Sequence, residues 1–306
     1  MTIGFVGFGL IGGSIAKAIK AVHPGYRIVV TSRSLAPIQA AKNDGIADII
    51  TDKIDNSFGA CDFIIICTPV ATITSYLEQI KNVKKASCII TDVGSVKGTV
   101  HKAADAAGLS DCFIGGHPMA GSELSGYRNS NAKLLNGAKY VITTTSNTKK
   151  ENIDIYENLV RDMGAVPVIM DYLLHDHTVA GISHLPHLAA AALAKVVKDS
   201  DDSEQHMHLL AAGGFKDTTR IAASSPEMWS QICETNGNAI CTMLDAYIDQ
   251  LCEIRSHIAA CSSQCDNESK CDNKNNTDKC GDMKDYDMKE YIEALFEETR
   301  NYRNTF

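Results

Sequence analysis

Three short segments of this chain set chemically able side chains among small residues, a composition that leaves room for a ligand. They are Cys67-Thr68-Pro69-Val70, Asp92-Val93-Gly94-Ser95-Val96-Lys97 and Gly115-Gly116-His117-Pro118-Met119-Ala120-Gly121-Ser122-Glu123. Each continues an apolar run that reads as a strand, and in an open parallel sheet ligands bind beyond the carboxyl ends of the strands. His117 is the outstanding candidate among them. An imidazole held beside Pro118 can accept a proton near neutral pH, and its glycine neighbours leave space for a substrate.

A fourth segment, Gly7-Phe8-Gly9-Leu10-Ile11-Gly12, follows the run Ile3–Val6 and opens a helical stretch at Ile11–Ala21. In this setting Gly7 permits a tight turn, Gly9 lets a pyrophosphate approach the backbone, and Gly12 lets the helix pack close to the strand. Leu10 and Ile11 then begin the helix whose N-terminus faces the phosphates. The pattern predicts a dinucleotide site. The acidic residue that would bind a ribose 2′-hydroxyl some twenty positions on is missing, and Thr31-Ser32-Arg33-Ser34 stands there instead. A cation and hydroxyl donors suit a 2′-phosphate, so NADP is expected in preference to NAD, with Ser32, Arg33 and Ser34 as its pocket and Thr68, Pro69 and Ser95 on the neighbouring strand ends. A solvated turn at Arg33 is the competing reading.

These groups need a scaffold. Apolar runs at Ile3–Val6, Arg27–Thr31, Phe63–Cys67, Cys88–Asp92, Phe113–Gly115, Tyr140–Thr144 and Val166–Met170 alternate with amphipathic stretches, which predicts an α/β domain with a Rossmann-type doubly wound sheet over residues 1–170. After Asp171 the strand signals stop and alanine- and leucine-rich helical text takes over, as in Leu188–Val197 and Ile240–Ile258, so residues 171–306 are expected to form an all-α substrate and dimerisation domain. A homodimer is the expected assembly.

The chain has 306 residues, of which 44% are hydrophobic and 22% charged, with a formal charge of −8 and no basic block. That balance argues against nucleic acid and anionic membranes and for a small soluble substrate. No apolar run in the text approaches the ~18 residues of a membrane span, and no leader precedes Ile3, so a cytoplasmic location is expected. Of the eleven cysteines, Cys61, Cys67, Cys88 and Cys112 lie in or beside strand text and read as reduced core residues. The tract 261–289 carries Cys261, Cys265, Cys271 and Cys280 without paired CxxC knuckles, so a mobile insertion without metal is expected there.

Taken in order, Gly7–Gly13, Asp92–Gly98, Gly116–Gly126, Ile182-Ser183-His184-Leu185-Pro186-His187, Gly214–Ile221 and Pro226-Glu227-Met228-Trp229 resemble the prephenate and arogenate dehydrogenase family of tyrosine biosynthesis. The resemblance covers roughly residues 1–258 and the final helix. It implies oxidative decarboxylation of a 4-hydroxycyclohexadiene acid: hydride leaves C4 for a nicotinamide, the 4-hydroxyl loses its proton, and carbon dioxide departs as the ring becomes aromatic. By resemblance His117 is the base for that hydroxyl, Ser95 orients it and the nicotinamide, and Arg220 binds a substrate carboxylate. A guanidinium suits that last task, since it can donate two parallel hydrogen bonds. Lys216 lies at i, i+4 from Arg220 and could share its pocket, although cations so spaced also form solvated faces. His184 and His187 are spaced as metal ligands could be, but no third ligand accompanies them, and the resemblance makes them pocket lining. Trp229 and Glu123 match positions near the pocket, with burial of the one and solvation of the other equally open. The length leaves no room for a regulatory amino-acid-binding or fused mutase domain, so a monofunctional enzyme is expected.

Two other readings share this architecture. A β-hydroxyacid dehydrogenase or imine reductase would pair the same sheet with a helical domain, but the former relies on a lysine in the helical half, whereas here the candidates are His117 and Arg220. A non-catalytic NADP-sensing protein would bind nucleotide without turnover and leaves His117, Ser95 and Arg220 without a common purpose.

Overall fold

The computed structural model describes residues 1–121, 124–268 and 288–306, with 261–268 described by backbone alone. The described chain forms two compact units, Met1–Ile240 and Cys241–Phe306.

The first unit begins with β1 (Thr2–Val6), α1 (Leu10–Val22), β2 (Arg27–Thr31), α2 (Leu35–Asn43), β3 (Ile49–Thr51), β4 (Phe63–Ile66), α3 (Val70–Val83), β5 (Ile89–Asp92) and α4 (Gly98–Ala106). The five strands form a parallel sheet in the order β3-β2-β1-β4-β5. β1 and β4 are covered on both faces, which is why Ile3–Val6 and Phe63–Ile66 are unbroken apolar runs rather than an alternation. In this register Val6 stands level with Thr31 on one side and Ile66 on the other, so Gly7, Ser32 and Cys67 open onto a single edge. Topology thus gathers segments far apart in sequence into one cleft.

A second sheet of β6 (Gly115–Pro118), β7 (Lys139–Thr144) and β8 (Val166–Asp171) follows, with α5 (Lys150–Asp162) crossing between its last two strands. β6 runs antiparallel to β7, and β7 is parallel to β8. The fold class expected from the sequence is observed, with two differences in its strands. β3 was not foreseen, and β6 covers 115–118 rather than 113–115, where Phe113 contributes only an isolated bridge to Ile90. Gly116 makes β6 possible: a Cβ there would lie 2.3 Å from the Tyr156 hydroxyl and 2.6 Å from the Asp92 carbonyl. The core beneath both sheets joins Phe5, Ile15, Ile28, Phe63, Ile65, Tyr140 and Tyr156.

The helical part of the first unit comprises α6 (Tyr172–Val179), a π-helical turn at Ala180–His184, α7 (Leu185–Ser200), α8 (His206–Leu210), α9 (Gly213–Thr219), a 3-10 turn at Arg220–Ala223 and α10 (Pro226–Thr235). From Tyr172 to Ser200 the helical run is continuous and, by length and hydropathy, long and apolar enough to cross a membrane, which the sequence reading did not anticipate. Yet this run places His175, Asp176 and His184 in the protein interior. Its exposed large side chains include Leu173, Leu174, Ile182 and Val196.

α11 (Gly237–Glu268) leads into the second unit, which ends with α12 (Met288–Arg303). Because α11 continues to Glu268, the first part of the tract expected as a mobile insertion at 261–289 is helical, as are its last two residues; 269–287 lie outside the described residues. Cys61, Cys67, Cys88 and Cys112 are free thiols, and the first, third and fourth are buried. Among the described residues no cluster of histidine, cysteine and carboxylate side chains could hold a metal.

Candidate active site

The edge opened by β1, β2 and β4 is a cleft of about 540 Å³ lined by Gly7, Gly9, Ser32, Arg33, Ser34, Thr68, Pro69 and further residues of α3 and α10. Gly7 has φ +85°, and a Cβ on it would meet the Cys67 carbonyl oxygen at 2.7 Å, so only glycine makes this turn without strain. Gly9, the N-cap of α1, has nothing within 4 Å of where its Cβ would stand. No side chain caps α1 and no acid occupies its first turn, so its N–H groups and positive dipole end face the cleft. The Thr68 hydroxyl is buried without a partner. An open cradle, an uncapped helix and an orphaned hydroxyl together fit a dinucleotide pyrophosphate. Asp52, Lys53 and Ile54, just beyond β3, also line this cleft. The sequence reading missed them because it missed β3.

β6, which packs against β5, carries His117, half-buried and within the strand rather than beyond its end. Its Nδ1 lies 2.9 Å from Nε2 of His175 on α6, and Nδ1 of His175 lies 2.8 Å from Oδ1 of Asp176. Asp176 also accepts the backbone N–H groups of Lys97 (2.8 Å) and Gly98 (2.7 Å) at the start of α4. Behind β6, the fully buried Lys97 ammonium pairs with Asp92 and donates to the Gly116 carbonyl at 2.8 Å. Asp92 in turn accepts from the N–H groups of Gly94 and Gly116. One cation and two carboxylates therefore fix the ends of β5 and α4 and the strand that bears His117. Burial, reinforced by His175, Lys97 and His184, holds the His117 imidazole well below its ordinary pKa. At neutral pH the ring is uncharged and able to accept a proton.

The π turn brings further imidazoles to the same region. Pro186, in the first turn of α7, has no N–H to give the carbonyl of Ile182, and the wider turn that precedes it absorbs this break without ending the helical run. His184 is buried, with Nδ1 3.2 Å from the Asn236 amide nitrogen, and burial lowers its pKa to about 4. That amide also donates to the Asp176 carbonyl oxygen, so it is the donor toward His184, whose Nε2 then carries the proton. His187 donates from Nδ1 to the Ser183 carbonyl at 2.8 Å, which leaves its Nε2 bare. Its ring stands 4.3 Å from that of Trp229, whose indole N–H is buried without a partner.

The structure thus assembles His117, His184, His187 and Trp229 with three residues that sequence reasoning missed, His175, Asp176 and Lys97. Ser95 is half-buried in the loop after β5, but the ring partner of His117 is His175. Lys216 on α9 and Arg220 in the following turn are exposed, on elements that pack against α7. Glu123 lies outside the described residues.

Comparison with known proteins agrees with this geometry. Residues 15–169 match the nucleotide-binding domain of prephenate dehydrogenase and 173–269 its dimerization domain. The chain is 38% identical to prephenate dehydrogenase of Bacillus subtilis over 84% of its own length and 70% of that protein's. It is 30% identical to cyclohexadienyl dehydrogenase of Zymomonas mobilis, over 84% of this chain and 88% of that protein. Among solved structures, prephenate dehydrogenase from A. aeolicus in complex with hydroxyphenyl propionate and NAD+ superposes with a TM-score of 0.83 at 28% identity, covering 99% of this chain and 98% of that one. A Synechocystis arogenate dehydrogenase gives 0.78 at 29%, covering 86% and 93%. With a cleft on the parallel sheet that suits a nucleotide, an uncharged imidazole on the strand packed against β5 and both family domains matched along the chain, this protein belongs to the prephenate dehydrogenase family, oxidoreductases of tyrosine biosynthesis that use a nicotinamide cofactor.

Proposed function

We propose that the chain converts prephenate to 4-hydroxyphenylpyruvate, with NADP preferred over NAD, as a cytoplasmic homodimer. The observation that carries the reaction is the imidazole of His117, kept neutral by burial on the strand that packs against β5 of the nucleotide-binding sheet. The bound nicotinamide supplies the hydride acceptor. His117 takes the proton of the 4-hydroxyl as C4 becomes a carbonyl-like centre, and loss of carbon dioxide then restores aromaticity, so the residues need only position the substrate and move one proton. The unpartnered Trp229 N–H and the nearby Arg220 and Lys216 offer donors for the substrate's carboxylates, while Nε2 of His187 can accept from a hydroxyl. Glu123 and Ser95 keep the supporting roles that the family resemblance implies.

The NADP preference rests on the absence of a carboxylate at the end of β2 and on Arg33, to which the cleft adds Lys53 as a second cation, partly offset by Asp52. The homodimer rests on the matched dimerization domain and on the apolar side chains exposed along α6 and α7. Arogenate is the second reading, since an arogenate dehydrogenase superposes well and nothing about His117 distinguishes an amino from a keto side chain. Steady-state assays of prephenate and arogenate against NADP and NAD, following nicotinamide reduction, test the proposal. Prephenate with NADP is expected to give the highest kcat/KM, and no turnover with any pair would overturn it. His117→Asn should lower kcat by about two to four powers of ten.

A further inference from the structure

We infer that His175 and Asp176 form a positioning relay that fixes which nitrogen of His117 carries the proton. The inference rests on the reading of His117 as the base and goes beyond it, because it assigns work to two residues that the chemistry above does not use. The carboxylate of Asp176 is the fixed end of the chain: both its oxygens already accept backbone N–H groups, from Lys97 and Gly98 at the positive end of α4. Toward His175 Nδ1, 2.8 Å away, it can only accept again, so that nitrogen bears the hydrogen. In neutral His175 the other nitrogen, Nε2, is then an acceptor, and the partner 2.9 Å from it, Nδ1 of His117, must be the donor. His117 is left with a bare Nε2, the form that a base requires.

The same chain can hold the charge that catalysis creates. When the substrate hydroxyl gives its proton to His117 Nε2, the Nδ1 proton can shift to His175 Nε2, and the resulting cation is stabilised by Asp176. His117 as a whole gives up one proton from Nδ1 for the one it gains at Nε2, His175 carries the added proton, and no other reactant is needed. The groups facing His117 are His175, His184 and Lys97, and Asp176 is the carboxylate next in line. The Lys97 ammonium would repel charge held on His117, so the path toward Asp176 is the favoured one.

Two measurements test this. In protein labelled with ¹⁵N-histidine, long-range proton–nitrogen correlation should show His117 protonated at Nδ1 and bare at Nε2 near pH 7.5. This readout is independent of turnover, so it separates failure of the relay from failure of the proposed reaction. Kinetics supplies the second measurement. His175→Gln places an amide oxygen where Nε2 stood and should keep kcat within about tenfold, whereas His175→Leu removes the acceptor and should lower kcat by a hundredfold or more with KM changed less than about threefold. Asp176→Asn, which can present a donor to His175 and reverse both rings, should lower kcat about a thousandfold and move the His117 proton to Nε2. Retained nucleotide affinity and circular dichroism establish that each variant is folded. A wild-type His117 protonated at Nε2, or equal losses in the Gln and Leu variants, would overturn the relay.

Discussion

Acid should destabilise this protein in a window set by its buried imidazoles, and His101 offers a measurable case outside the proposed chemistry. Its ring is 5% exposed, stacks on Tyr172, meets Phe113 edge-on and joins Thr143 Oγ1 at 2.8 Å. Burial lowers its pKa from 6.5 to about 4. Since the folded-state value is depressed, the unfolded chain binds the extra proton first, and stability falls as pH drops from 6.5 toward 4. At pH 5 nearly every unfolded chain carries that proton while few folded ones do, a difference of about 2 kcal/mol relative to pH 7. Urea unfolding followed by circular dichroism at pH 7 and pH 5 measures it. His101→Gln keeps a partner for Thr143 but cannot titrate, so its loss of stability between the two pH values should be smaller than that of the unsubstituted protein by about 2 kcal/mol. An equal loss in both would show that His101 is already protonated or well solvated at pH 5, and the reasoning would fail.

Lys97→Met should leave the Asp92 carboxylate buried without its cation, which costs about 3–5 kcal/mol, and so lower the melting temperature by roughly 6–20 °C for a unit of this size. A change of under 2 °C would mean that the pair is easily replaced. Gly7→Ala and Gly9→Ala should separate folding from binding: the first adds a Cβ against the Cys67 carbonyl at positive φ and should melt at lower temperature, while the second has open space and should melt normally yet bind NADP at least tenfold more weakly by calorimetry. Trp229→Phe removes a buried, unpartnered N–H and should leave the free protein no less stable while raising the substrate KM several-fold; an unchanged KM would place the indole outside the pocket.

The parts of this molecule legible in its sequence are those governed by local rules. β1, the glycine turn and α1 were readable because a buried strand, a positive φ and a helix start each leave their own residue types, and Cys61, Cys88 and Cys112 were placed in the core by their apolar neighbours. β3 escaped because three half-buried residues carry no period. β6 was displaced because Gly115-Gly116 has no strand propensity of its own and is a strand only through its pairing with Tyr140–Thr143. His117 was found by its setting, but the residues that govern it were not. His175 is 58 positions away and Asp176 reaches back 79 positions to Lys97, and nothing in either neighbourhood announces the pairing. Lys97 stood in a segment already singled out, yet its burial against Asp92 follows from the packing of β6 over β5, which a single sequence does not display.

The π turn between α6 and α7 has a consequence for how the helical half is phased. From His175 to His184 an ordinary helix, at about 100° per residue, would complete about two and a half revolutions and leave the two imidazoles pointing to opposite sides. The slower winding of Ala180–His184 works like one surplus residue and swings the later histidines back toward the earlier pair. Winding the same residues as an ordinary α-helix would scatter these rings around its circumference, whereas excising Gly181 would regularise the spiral and leave their phase almost as it is, so that the surplus residue and the wide turn belong together.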